Sequence, residues 1–258
     1  MRTYRCVQTC NSTDSSTRSP AVRLASVNAG TTKNLDSSSA LSGVRDTRPS
    51  KRCTISDVQE VATGVWHWQA PHPEWNESEW PRMVSSYAID DGERLLLFDP
   101  IEPPDDLLTR RDVREWVVVL TNPWHERDTR ALVEKHNPPV YVTDPEGSPD
   151  VAWLLSGESG EPHLYTADSG LPAGVDAAFP GRQSNDLVLW IASRRTVVAG
   201  DTLVDFGGGL EIHEPWLWTT TRDQVVSQLR PLLDLPVEHV LATHGGPHDR
   251  AALQRALA

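Results

Sequence analysis

Beyond position 53 the chain contains no cysteine; its three, Cys6, Cys10 and Cys53, all lie in or beside the first 52 residues. That absence removes both a disulfide framework and a cysteine-ligated metal site from everything downstream, and it fits a cytoplasmic location. No apolar run approaches the length of a membrane-spanning helix. Nor does the N-terminal segment hold an apolar stretch suited to a secretory signal. Positive charge is scarce as well. Residues 1–52 carry nine Lys/Arg against three Asp/Glu, which leaves 15 basic and 33 acidic residues for 53–258. So acidic a body repels phosphate backbones, and neither nucleic acid nor a membrane is an expected partner. Also missing are a phosphate-binding loop, a Gly-x-Ser-x-Gly nucleophile elbow and a dinucleotide fingerprint.

What is present divides the chain in two. Residues 1–52 are rich in Ser, Thr and Arg, and stretches such as 11–17 and 37–39 are too polar to offset ordering entropy. They are expected to be a disordered tail or an over-extended gene start, and their composition also resembles an organelle transit peptide. Residues 53–258 are the expected folded domain.

Within that domain Val58, Val61, Val65 and Trp66-His67-Trp68 suggest a first strand pair. Residues 85–89 and 94–98 read as strands joined by the turn Asp90-Asp91-Gly92. A short helix is expected over 105–112, and an almost continuously apolar, buried strand over 115–121. Asp128 to His136 has helical periodicity with Asp128 as a candidate N-cap. Strand 140–142, helix 150–155 and strands 177–179, 187–191 and 196–199 follow, with Ser193-Arg194-Arg195 as the last hairpin. Residues 221–233 form the clearest amphipathic helix, started by Thr221 or Asp223, and Pro231 is expected to kink or end it. A final strand at 237–242 and a helix at 249–257 complete the reading. Hairpins, then a helix and a strand, occur twice over, which suits two sheets sandwiched between helices.

Three apolar runs end in side chains able to bind a metal. Val197-Val198-Ala199 leads into Gly200-Asp201-Thr202, Val240-Leu241-Ala242 into Thr243-His244-Gly245-Gly246, and Val117-Val118-Val119-Leu120-Thr121 into Asn122-Pro123-Trp124-His125-Glu126-Arg127-Asp128. In this order the junctions resemble the metallo-β-lactamase (MBL) superfamily, over about residues 54–258. The resemblance implies an α/β (α+β) fold, a four-layer αββα sandwich, with ligands on loops at one edge. It implies that Asp201 stands at the family's bridging aspartate and His244 at its last ligand. Phe179-Pro180-Gly181-Arg182 is similar to the segment that supplies a histidine, but Arg182 stands there instead. A guanidinium offers no lone pair, and at about 4 Å a dication would repel it by about 8 kcal/mol at an effective dielectric of 20.

The first junction departs from the family's Thr-His-x-His-x-Asp-His. One register puts Asn122, Trp124, Glu126 and Arg127 at the ligand positions, where Glu126 alone could coordinate. Shifted by one, the positions hold Pro123, His125, Arg127 and Asp128, leaving His125 and Asp128. The resemblance then implies at most one divalent metal (zinc, iron or manganese) held by Asp201, His244 and Asp128 or His125. It also implies hydrolysis of an ester, thioester or lactone, with Arg127 or Arg182 stabilising an oxyanion. The alternative is no metal at all: Arg127 and Arg182 pair with the remaining carboxylates, and a catalytically inactive protein binds an anionic small molecule. Asn122, Trp124, Glu126 and His248 are further pocket candidates. Gly207-Gly208-Gly209 with His213, Trp216 and Trp218 is expected to form a loop over the site.

Overall fold

The computed structural model describes residues 57–73, 75, 80–101, 103–104, 107, 115–146, 148–156 and 162–258. The expected tail at 1–52 and all but one residue of the expected helix at 105–112 lie outside them. The first sheet has the order β1 (Gln59–Ala62), β2 (Val65–Pro71), β3 (Met83–Asp90), β4 (Arg94–Phe98), β5 (Glu115–Val119), β6 (Val140–Val142) and β7 (His163–Leu164). It is antiparallel as far as β4 and parallel from β4 to β7. The second runs β12 (Pro247–Asp249), β11 (His239–Leu241), β10 (Thr196–Val198), β9 (Leu187–Ile191) and β8 (Ala177–Pro180), with only β10 and β11 parallel. Four helices accompany the sheets among the described residues: α1 (Thr129–His136), α2 (Ala152–Leu155), α3 (Arg222–Leu229) and α4 (Arg250–Ala256).

Strand periodicity explains the layers. In β4, Leu96 and Phe98 point into the space between the sheets and meet Leu187, Leu189 and Leu241, while Leu95 and Leu97 point outward onto Leu132, Val133 and Leu154. Strands buried on both faces read as unbroken apolar runs. The outer face of the second sheet, with Val188, Trp190 and Val197, packs on Val225, Val226 and Leu229 of α3 and Leu253 of α4. The expected α/β sandwich is therefore present, with two sheets inside and helices outside.

Local chemistry sets the boundaries. Asp91 Oδ1 accepts the backbone N–H groups of Glu93 and Arg94, and Gly92 takes φ +105°, closing the β3–β4 turn. Thr221 starts α3 with a capping box to Gln224. Pro231 has no N–H to continue it, and the chain tightens into a 3₁₀ helix over Arg230–Asp234. The last segment differs from expectation at its start: residues 247–249 pair with β11 as β12, and Asp249 then caps α4 by accepting from Ala252 N at 2.8 Å. No described helix is long and apolar enough to cross a membrane.

His67 on β2 gives the sandwich a testable acid sensitivity. Its Nε2 lies 2.8 Å from Ser85 Oγ, its ring stacks on Tyr87, and burial pushes its pKa down to about 4. A histidine with a depressed folded pKa leaves stability whole above its unfolded value of about 6.5, and stability is lost as pH falls toward 4. We expect a loss on the order of 1–2 kcal/mol at this part-exposed, screened position. Urea midpoints at pH 7.5 and 4.5 should show a shallower fall in His67→Gln than in the parent; parallel falls would sink the assignment.

Candidate metal centre

The strand ends expected to carry the chemistry do meet. Asp99 closes β4, Thr121 and Asn122 follow β5, Asp201 follows β10 and His244 follows β11. The 181–186 loop between β8 and β9 reaches in from the side. At the middle is Asp201, whose Oδ1 lies 3.0 Å from His125 Nε2 and 3.4 Å from His244 Nε2. Its Oδ2 accepts from Arg182 Nη2 at 2.7 Å. All four side chains are buried.

A second carboxylate holds His125 from behind. Asp99 Oδ2 lies 3.1 Å from His125 Nδ1 and accepts from Thr121 Oγ1 at 2.7 Å, while Oδ1 accepts from Thr121 N at 2.9 Å. Asp99 adopts φ +46°, a left-handed conformation that aspartate tolerates better than most residues. A third, Asp186, receives Arg182 Nε and Thr202 Oγ1, each at 2.8 Å.

The charges follow from this packing. Burial alone would lower the His125 pKa, but Asp201 and Asp99 outweigh it and hold the pKa near 9. Burial likewise works against the ionised Asp201, yet His125 and Arg182 carry its pKa well below the usual carboxylate range. His244 goes the other way: burial, with the nearby His125 and Arg127, outweighs the pull of Asp201, depresses the pKa to about 3 and favours the neutral ring. For Arg182, Asp201 and Asp186 overcome burial and raise the pKa further.

Aromatic rings cover the group. Trp80, Phe206 and Trp216 stand 5.0, 5.9 and 5.3 Å from the His244 ring, edge to face. The guanidinium carbon of Arg182 lies 5.4–5.6 Å from the rings of Trp124, Trp216 and Trp218. The segment expected to lie over the site thus does so through Trp216 and Trp218, whereas His213 packs on Phe206 and Trp216.

One donor atom each from His125, Asp201 and His244 can be chosen so that all lie within 4.8 Å of one another. Two imidazoles and a carboxylate suit a divalent cation. The neutral ring of His244 is ready to coordinate. His125, cationic near neutral pH, would release its Nε2 proton to ligate; Asp99 engages Nδ1 and keeps Nε2 toward the group, the usual backing of a ligating histidine. The residues therefore fit one such ion.

Asp128 is not the ligand expected, and Glu126, which lines a pocket, does not take the ligand role that one register gave it. Neither joins the group. The loop turns through His125 N–H to Asn122 O at 3.3 Å and Thr129 N–H to Glu126 O at 2.9 Å, with Arg127 at φ +46°. That turn sends His125 inward and the two acids outward, where both line a cavity of about 450 Å³. Asp128 occupies the N-cap position of α1, but its side chain makes no capping hydrogen bond. Glu126, raised to about 7 chiefly by burial, accepts from Arg130 N. Neither register of the first junction survives whole. The structure takes His125 from one and Asn122 from the other, with Asn122 Nδ2 3.3 Å from His125 Nδ1 and 3.4 Å from Asp186 Oδ1.

Arg127 also departs from expectation. It is buried, and its Nη1 donates to the backbone oxygens of Ser85 and Asp99 at 3.0 and 2.7 Å, joining the ends of β3 and β4. Of the expected arginines, Arg182 is the one that touches Asp201. Trp124 stacks on that guanidinium as described. His248, on β12, faces Asp205 at 3.3 Å and stands outside the group. Asp99 and Asp186 were not among the candidates. Asp99-Pro100 reads as a strand stop and Asp186 stands just before the expected strand 187–191, so nothing in their spacing marks them.

No protein-family model matches the sequence, and no curated protein does. The fold does have solved counterparts. The DIM-1 metallo-β-lactamase structure, determined after exposure to ceftazidime, is similar with TM-score 0.54 and 15% identity, over 78% of this chain and 94% of that one. A metallo-β-lactamase from Erythrobacter litoralis, with β-mercaptoethanol in its active site, matches at 0.54 and 12%, over 78% and 93%. VMB-1 matches at 0.54 and 12%, over 78% and 94%. At such identities the likeness speaks for architecture alone. The described residues between 57 and 258 adopt the metallo-β-lactamase fold.

Proposed function

We propose that the chain is a hydrolase of an ester, thioester or lactone bond in a small molecule, using one divalent cation of the zinc, iron or manganese type. The observation that carries this reading is the convergence of His125, Asp201 and His244, with Asp99 behind His125. His125, Asp201 and His244 would hold such a cation, which when bound would lower the pKa of a water and make it a nucleophile near neutral pH. The chain's own groups do the rest. Asp99 fixes the ring of His125, and Arg182 holds Asp201 by one oxygen while the other faces the two histidines. Trp80, Phe206 and Trp216 exclude bulk water and so strengthen the electrostatics within. The cytoplasmic location belongs to the same proposal.

A second reading has its own observation: both oxygens of Asp201 already face cations or donors of the chain. Under it the network is complete without metal, and the protein binds an anionic small molecule without catalysis.

Elemental mass spectrometry on the untagged full-length chain separates the two, after reconstitution with zinc, iron or manganese and dialysis. The expected result is about one equivalent of metal together with turnover of p-nitrophenyl ester, thioester or lactone probes. Asp201→Asn should remove both. A chain that takes up no metal, turns over no probe and melts identically with and without EDTA would overturn the hydrolase reading in favour of the second.

A further inference from the structure

Two buried carboxylates, Asp186 and Asp201, share one guanidinium. Arg182 Nε donates to Asp186 Oδ2 at 2.8 Å and Nη2 to Asp201 Oδ2 at 2.7 Å. The arrangement is built around the arginine rather than left by chance. Gly181 N–H donates to Asp186 O at 2.8 Å, closing the loop so that positions 182 and 186 face the same side. Arg182 N–H donates to Thr202 Oγ1, and that hydroxyl donates in turn to Asp186 Oδ2. At Gly181 a Cβ would stand 1.8 Å from Thr202 Oγ1, so the backbone can approach this closely only without a side chain. At Gly200 a Cβ would stand 2.6 Å from Asp186 Oδ1, and the residue takes φ +54°. The three indoles of Trp124, Trp216 and Trp218 surround the guanidinium, an environment that favours a cation and keeps water from it.

We propose that Arg182 is a resident cation: its guanidinium fills a second cation position between Asp186 and Asp201, so the centre admits one metal ion beside His125 and His244 and no more. Arg182 thereby determines metal stoichiometry as a specificity residue. With the guanidinium gone, two buried carboxylates are left without their partner, and a divalent cation is the chemical class that can replace it. The inference deepens the one-cation reading and borrows from it only the neighbouring position. Its test therefore reads a difference between variants rather than an absolute metal content.

The experiment is equilibrium dialysis of the full-length chain against zinc and, separately, manganese, with bound metal counted by elemental mass spectrometry. Arg182→Ala should bind one equivalent more than the parent, and its melting temperature should rise with added metal. Arg182→Ala with Asp186→Asn should return to the parent's count, and Arg182→Lys, which keeps a cation, should not exceed it. Methylguanidinium added to Arg182→Ala should lower the extra uptake. A variant that fails to fold in metal-free buffer should recover its fold with zinc or methylguanidinium. Equal uptake by Arg182→Ala and the parent, or recovery with neither additive, overturns the proposal. If the parent binds no metal while Arg182→Ala binds one equivalent, the proposed function falls and this inference stands.

Discussion

Asp201→Asn is expected to destabilise the metal-free chain by about 3–5 kcal/mol, the cost of leaving a buried charge without its partner. For a domain of roughly 200 residues that corresponds to a melting temperature lower by roughly 6–20 °C. Asparagine keeps the volume, so packing is not what is lost. The change removes the negative charge that faces Arg182 at 2.7 Å, His125 at 3.0 Å and His244 at 3.4 Å. Arg182 retains Asp186, and His125 can shed its proton, so the loss falls short of two full ion pairs. Because the groups are buried, moderate salt should neither mimic nor rescue the effect, unlike at a surface pair. Chemical denaturation in EDTA at two salt concentrations measures it. A loss below about 1 kcal/mol, within the range of an exposed pair, would mean that the network contributes little.

Gly181→Ala carries the other large effect, and it acts through shape. A methyl at this position meets Thr202 Oγ1 at 1.8 Å, Thr202 Cβ at 2.8 Å and the carbonyl oxygen of Asp186 at 2.8 Å. Overpacking of this kind costs about 1–3 kcal/mol. Here the hydroxyl that must move also accepts from Arg182 N–H and donates to Asp186, so hydrogen bonds at roughly 1 kcal/mol each are lost with it. We expect about 3–5 kcal/mol in total. The mechanism predicts coupling: with Thr202→Ala in the background, part of the clash is gone, and the added cost of Gly181→Ala should fall by at least about 1 kcal/mol. Strictly additive losses in that double-mutant cycle would refute the explanation.

These residues also show where the sequence was legible. Asp201 and His244 follow strands whose apolar runs are unmistakable, and a strand end is where a side chain can leave the sheet for a shared edge. Layering was legible for the same reason, since runs such as 94–98 and 115–119 announce strands buried on both faces. The first junction was not. Whether His125, Glu126 or Asp128 turns inward depends on the φ of Arg127 and two turn hydrogen bonds, which no spacing rule conveys. Asp99 and Asp186 were missed because their partners, Thr121, His125 and Thr202, are 16 to 26 positions away and meet them only once β4 lies beside β5 and β9 beside β10. Arg182 was noticed as a departure from a pattern. Its meaning came from Asp186, four residues on, and from indoles contributed by two other loops.

The ties from β2 and β3 to the loop after β11 bear on how the chain assembles during synthesis. Ser85 N–H donates to Thr243 O, Tyr87 hydroxyl to Ala242 O, and Gln69 to Gly245 O. A ribosome therefore releases β3 about 155 residues before the segment that satisfies it. Throughout that interval the inner face of the first sheet has no second sheet to rest on, and His125, already beside Asp99, has neither Asp201 nor His244 to meet. Contacts of such long range slow folding more than they weaken the finished state. The nascent half-sandwich is thus the stage at which a chaperone would find exposed apolar surface, and arrival of the Thr243-His244 turn ends that exposure as it completes the centre.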